Sequence, residues 1–162
     1  GIAGRVHHSR DRRHPRFGLG ISCVERRTGC RTGRSGRRKR DMSRYALLLS
    51  AGPDRVGTAL NAIEYVLSLD EAGHTVAVYL DGAATQWPGE LETRIDHPLS
   101  KGLTAALDRG IVAGCCAFCA DAFGGTEGCV KAGIPLLGAA GEEHGPNVAH
   151  LVDDGYELLT VG

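Results

Sequence analysis

The chain has 162 residues, room for one domain of ordinary size and too little for two substantial ones. Its 19 Lys and Arg balance its 19 Asp and Glu, yet residues 1–41 carry 13 basic and 3 acidic side chains while residues 42–162 carry 6 and 16, so a basic head precedes an acidic body. No apolar run approaches the roughly 18 to 20 residues that a membrane-spanning helix needs, which excludes a helical transporter and sets the expectation of a soluble protein without membrane partners.

Residues 1–41 combine seven glycines with thirteen basic residues and show no helical or alternating apolar period, so they bury too little surface to offset the entropy of ordering. Disorder is expected there. A targeting presequence or a nucleic-acid arm would use the basic runs Arg12-Arg13 and Arg37-Arg38-Lys39-Arg40, but no aromatic interleaving supports that use. The favoured reading takes Met42, the one methionine, as the native start. The following "MSRYALLLSAG" resembles an export signal, yet its apolar part is short and runs straight into Pro53-Asp54-Arg55.

From Arg44 onward strands and helices alternate. "RYALLLSAG" is a nearly continuous apolar run closed by Gly52-Pro53, the pattern of a strand buried on both faces. Val56, Leu60, Ile63 and Leu67 recur at helical spacing, with Gly73 placed for a left-handed cap. "HTVAVYLDG" is a second strand, and "AATQWPGELETRID", broken by Pro88-Gly89, reads as loop. Asp96 as N-cap, Pro98 in the first turn, Leu99, Leu103 and Leu107 on one face and Gly110 beyond the end predict another helix. "IVAGC" and "IPLLGAA" predict strands three and four. A last helix from Pro146 to about Asp153, with Val148, Leu151 and Val152 inward, leads into a fifth strand, "YELLTVG".

Such alternation implies right-handed crossovers, hence a three-layer α/β/α, flavodoxin-like architecture around a five-stranded, mainly parallel sheet. Strand order is not encoded in this pattern. Reactive groups in such sheets collect beyond the carboxyl ends of the strands, so Gly52 to Gly57 and Cys115 to Gly125 are expected at one edge.

Six cysteines, four of them between Cys115 and Cys129, suit a thiol or metal site in a reducing compartment better than a disulfide scaffold, and the expected location is cytoplasmic. With a strand ending near Cys115, Cys116 falls at a helix start on the sheet's rim, where its sulfhydryl is expected to be accessible and free N–H groups stabilise a thiolate. Cys119 then lies one turn away, close enough to attack it, to share a disulfide with it or to co-ligate a metal. Cys115 points the other way, into the core, while Cys129 either returns to the site or is buried on a helix. Zinc would require four ligands drawn from Cys115, Cys116, Cys119 and Cys129 with His144 or His150. Adjacent cysteines diverge and no second CxxC or HxxxH is present, so a metal is not expected.

"LLLSAGPDRVGTALNAIEYVLSLDEAGHTVAVYLDG" and "LTAALDRGIVAGCCAFCADAFG" resemble, in order and spacing, the first strand, loop, helix, second strand and cysteine-bearing strand end of the DsrE-like proteins of intracellular sulfur relay, over nearly all of residues 42–162. The resemblance implies a sulfur carrier or sulfurtransferase-like protein with sulfur donor and acceptor proteins as partners and a homo- or hetero-oligomeric state. It places the carrier cysteine at Cys116, eight residues before Gly124. Asp121, Ala122 and Phe123 stand where many members have arginines, and Cys119 is additional to the single-cysteine carriers. The catalytic residues expected are Cys116 and Cys119, with no cofactor required.

Two other classes compete. A CxxC thiol-disulfide redox protein would use the same pair. A flavin- or nucleotide-binding module would use "SAGPDRVGT" as a phosphate cradle, although GxGxxG and GxxxxGK[ST] are missing and Trp87 is the one tryptophan. Asp54 and Arg55 are read evenly as partner-orienting or solvated. Glu142, Glu143 and His144 are read as solvated loop in preference to a proton-handling role. The acidic body disfavours direct nucleic-acid binding by residues 42–162.

Overall fold

The computed structural model describes residues 42–138 and 144–162; the disorder expected of residues 1–41, and the roles of Glu142 and Glu143, lie outside the described residues. Five strands, β1 (Arg44–Leu49), β2 (Thr75–Leu80), β3 (Val112–Cys116), β4 (Leu136–Leu137) and β5 (Tyr156–Val161), form one all-parallel sheet in the order β4-β3-β2-β1-β5. Six helices connect them: α1 (Val56–Glu71), α2 (Trp87–Leu91), α3 (Pro98–Asp108), α4 (Ala117–Ala122), α5 (Thr126–Lys131) and α6 (Val148–Asp153). The strands progress in one direction from β1 to β4, so right-handed crossovers put α1 to α5 on one face. The return from β4 to β5 puts α6 on the other, giving the three-layer, flavodoxin-like architecture expected.

Alternation along the strands feeds both layers. Leu47, Leu49, Val76, Val78 and Leu80 join the core beneath α1 and α3, while Ala46, Ala77 and Tyr79 face α6 with Leu151. The register of β3 on β2 shifts between Val78↔Val112 and Tyr79↔Gly114, a bulge that turns both Ala113 and Gly114 toward the α6 layer. That shift returns Cys115 to the first core and turns Cys116 the other way.

Several local expectations are corrected. Residues 83–96 are not plain loop: a 3-10 helix at Gly82–Gln86 runs into α2, and Trp87 is buried with its indole N–H donating to the Ala51 carbonyl (2.7 Å). The N-cap of α3 is His97, whose Nδ1 accepts from Leu99 N–H (3.2 Å), and not Asp96. Pro98 forces the residue before it into extended backbone, which defines the cap one position later than composition suggests. On α1 the sealed face is Ala59, Ala62, Ile63 and Val66, with Val56, Leu60 and Leu67 at its flank, because small residues let the helix approach the sheet closely. α6 begins at Val148, capped by Asn147, and being under two turns long it buries Leu151 and leaves Val148 and Val152 exposed. Of the strand expected over residues 134–140, β4 takes Leu136–Leu137, and residues 139–140 lie outside the described residues. Gly73 takes the left-handed conformation predicted for it, and Gly110, read as lying beyond the end of α3, takes one too. Among the described residues no helix is long and apolar enough to cross a membrane.

Candidate functional site

Three neighbouring strand ends build the site. β2 delivers Asp81, whose extended backbone caps the 3-10 helix and whose Oδ1 accepts from Gly82 N–H (2.8 Å), fixing the carboxylate. β3 delivers Cys116 as the N-cap of α4: its backbone is extended, and its Sγ accepts the N–H of Cys119 (3.3 Å), one turn on. α4 closes at Gly124, left-handed at φ +70°, and Gly125 passes so close to the Thr85 carbonyl that a side chain there would overlap it. The chain beyond β4 delivers His144.

These residues converge on one point. The Cys119 thiol donates to Asp81 Oδ1 (3.0 Å), and His144 Nδ1 lies 3.8 Å from Cys116 Sγ and 3.6 Å from Cys119 Sγ. The donor atoms of Asp81, Cys116, Cys119 and His144 all lie within 4.8 Å of one another, close enough to share one ion. The imidazole is also held against the Phe118 ring, centroids 4.3 Å apart. Burial, reinforced by the bond to Asp81, pushes the Cys119 thiol up to about 12, so it stays protonated at neutral pH.

Both sulfurs are more enclosed than a carrier thiol was expected to be. Cys116 is 0% exposed and Cys119 6%, which overturns the expectation of an accessible sulfhydryl at position 116. The cause is local: as N-cap, Cys116 folds its side chain back over the first turn of α4, and His144 stands against both sulfurs. His144 itself is exposed and lines a cleft of about 330 Å³ on the α6 side, together with Tyr79, Leu137, Asn147 and His150. The imidazole is therefore the link between the sulfurs and solvent.

Cys115 and Cys129 form a second pair with a different setting. Both are fully buried, their sulfurs are 3.1 Å apart, and the Cys129 thiol also reaches the Thr85 carbonyl (3.4 Å). Hydrogen bonding with Cys129, together with burial, pushes the Cys115 thiol upward. Cys115 thus packs as expected, and Cys129 takes the second of its two alternatives, burial on a helix. No disulfide joins the described cysteines.

The structure brings Cys116 and Cys119 together as the spacing predicted. His144 is exposed in its loop, as read from the sequence, yet it also stands against both sulfurs, and the structure adds Asp81, which sequence reasoning missed. A signal for Asp81 existed: a lone acid at the carboxyl end of an apolar strand, just before glycine, in a fold that places its chemistry there. The zinc set considered from sequence is divided, because Cys115 and Cys129 lie outside the cluster and the liganding atoms near Cys116 include none from His150. The loop Gly52 to Gly57 shares the carboxyl edge but is separated from β3 by β2. It touches the site indirectly, Gly52 packing on Ala83 of the 3-10 helix, and Asp54 and Arg55 are exposed outside the cluster. No protein-family model, no curated protein and no solved structure matches the chain.

Proposed function

We propose that this protein is a DsrE-like sulfur carrier or sulfurtransferase-like protein, working in the cytoplasm, that accepts sulfane sulfur on Cys116 and passes it to an acceptor. The observation that carries the reading is the convergence of a CxxC pair, an imidazole and a carboxylate on the carboxyl rim of a parallel sheet, joined to the DsrE-like order of motifs along the chain. The Cys116 thiolate attacks the outer sulfur of a donor persulfide, forming Cys116–S–SH and releasing the donor thiolate. His144 Nδ1, within reach of both sulfurs, generates that thiolate by taking the Cys116 thiol proton before the attack. An acceptor thiolate then attacks the outer sulfur and leaves Cys116 as thiolate. Where Cys119 gives its thiol proton to Asp81 and attacks the inner sulfur instead, a Cys116–Cys119 disulfide forms and hydrosulfide departs with the bonding electron pair.

Because the resting thiol is enclosed, sulfur transfer requires the exposed His144 ring to move aside. Donor and acceptor proteins would dock on the apolar rim offered by Phe118 and Phe123, 39% and 45% exposed, and the same rim would serve an oligomer. Intact mass after incubation with a persulfide donor tests the assignment. Wild type gains about 32 Da per sulfur, and adduct formation undiminished in Cys116→Ser overturns it. The proximity of the two sulfurs supports a second reading, a thiol-disulfide oxidoreductase. That reading prevails if the pair cycles against glutathione and takes up no sulfane sulfur.

A further inference from the structure

We propose that Asp81, Cys116, Cys119 and His144 form a four-ligand site for Zn²⁺. The inference rests on the geometry of the cluster and not on the sulfur-carrier reading.

A tetrahedral zinc ion with bonds of about 2.3 Å to sulfur and about 2.0 to 2.1 Å to nitrogen and oxygen sets its ligand atoms roughly 3.3 to 3.8 Å apart. Here the imidazole nitrogen stands 3.8 and 3.6 Å from the two sulfurs. Cys119 Sγ and Asp81 Oδ1 are 3.0 Å apart, and they need only spread by a few tenths of an ångström. All four donor atoms lie within 4.8 Å of one another, so no pair stands more than about 1 to 1.5 Å beyond the separation a zinc tetrahedron sets.

The surroundings are those of a ligand shell. Cys119 N–H points at Cys116 Sγ (3.3 Å), Gly82 N–H holds the Asp81 carboxylate (2.8 Å), and Phe118 fixes the plane of the imidazole. Each therefore orients a ligand from outside, as second contacts do around metals. Among the described residues no lysine or arginine pairs with Asp81; the ion pairs found join Arg94, Arg109 and Lys131 to other acids. Two potential thiolates and a carboxylate thus meet with no cation paired to them among the described residues. Two sulfurs, one nitrogen and one oxygen select borderline zinc over magnesium or calcium, which want oxygen alone, and over copper(I), which favours a purely soft set. A filled site engages the Cys116 sulfur, so metal and sulfane sulfur exclude each other.

The full chain, reduced and stripped with a chelator, is titrated with Co²⁺ and then challenged with Zn²⁺. The expected result is saturation at one equivalent, with thiolate-to-cobalt charge transfer in the near ultraviolet and the visible bands of a tetrahedral ion, both bleached by zinc. Cys116→Ser and Cys119→Ser should each remove one thiolate's share of the charge transfer. His144→Ala, at an exposed position where folding is not at stake, should weaken cobalt binding by on the order of 10- to 100-fold or more, since even outer contacts are worth that much. Cys129→Ala should bind as wild type does, with far-ultraviolet circular dichroism confirming the fold of each variant. Absence of the bands, their survival in the Cys116→Ser/Cys119→Ser double variant, or wild-type affinity in both His144→Ala and Asp81→Ala would overturn the proposal. Sulfur loading is read separately by mass on metal-free protein, so failure of the metal site leaves the carrier reading standing, and the reverse.

Discussion

Cys115 and Cys116 are adjacent in β3 and equally shut off from solvent, yet they belong to different chemistry. Cys115 turns toward the layer of five helices, where its neighbours are aliphatic side chains, a backbone carbonyl and the Cys129 sulfur. Cys116 turns toward an imidazole, a second thiol and, through it, a carboxylate. Burial alone therefore does not separate a cysteine that only packs from one that meets other polar groups. What separates them is whether the enclosed sulfur meets groups that can take a proton from it or share an ion with it.

The comparison can be broken most sharply by sulfur loading. Cys116→Ser should abolish persulfide uptake while Cys129→Ser retains it, as read by intact mass, and the opposite pattern would exchange the roles of the two pairs. The next largest effect is on stability. Gly125→Ala drives a methyl group into the Thr85 backbone, the same carbonyl that receives the Cys129 thiol, and should cost about 3 kcal/mol in urea unfolding. Cys129→Ser puts a hydroxyl where only a sulfur and one carbonyl face it, and a loss of about 1 to 2 kcal/mol is expected from the same measurement.

The last effect, nil at neutral pH, concerns alkaline titration of the metal-free protein. Cys119 is held protonated up to about 12 in the folded chain against an ordinary value of 9.0, so as pH rises the unfolded chain loses this proton first. The stability it contributes is complete below pH 9 and declines from there through 12, at no more than about 1.4 kcal/mol per pH unit. Denaturant midpoints measured across that window should fall more steeply in wild type than in Cys119→Ala, and parallel slopes would show that Cys119 is not the group concerned.

Much of this arrangement was legible in the sequence, and what was not has physical reasons. The strand and helix alternation, the left-handed glycines and the CxxC turn all follow from local periodicity and backbone chemistry. The β3 bulge does not: strict alternation from Val112 would have faced Cys115 toward α6 and Cys116 toward the core, and only pairing with β2 shows the shift. Asp81 and His144 were undervalued for a related reason. Each is an ordinary polar residue in a turn until strand order places β2, β3 and β4 side by side, and that order comes from nonlocal pairing. The helix at α2 escaped because Pro88 and Gly89 read as breakers, although proline is tolerated in the first turn.

The corner that holds the sulfurs is assembled from distant stretches of chain: 38 positions separate Asp81 from Cys119, and 28 separate Cys116 from His144. An unfolded or truncated polypeptide keeps its CxxC but loses both outlying partners. The pair's reactivity is accordingly a gauge of native topology, and a fragment bearing only the cysteine turn would behave as an ordinary peptide dithiol.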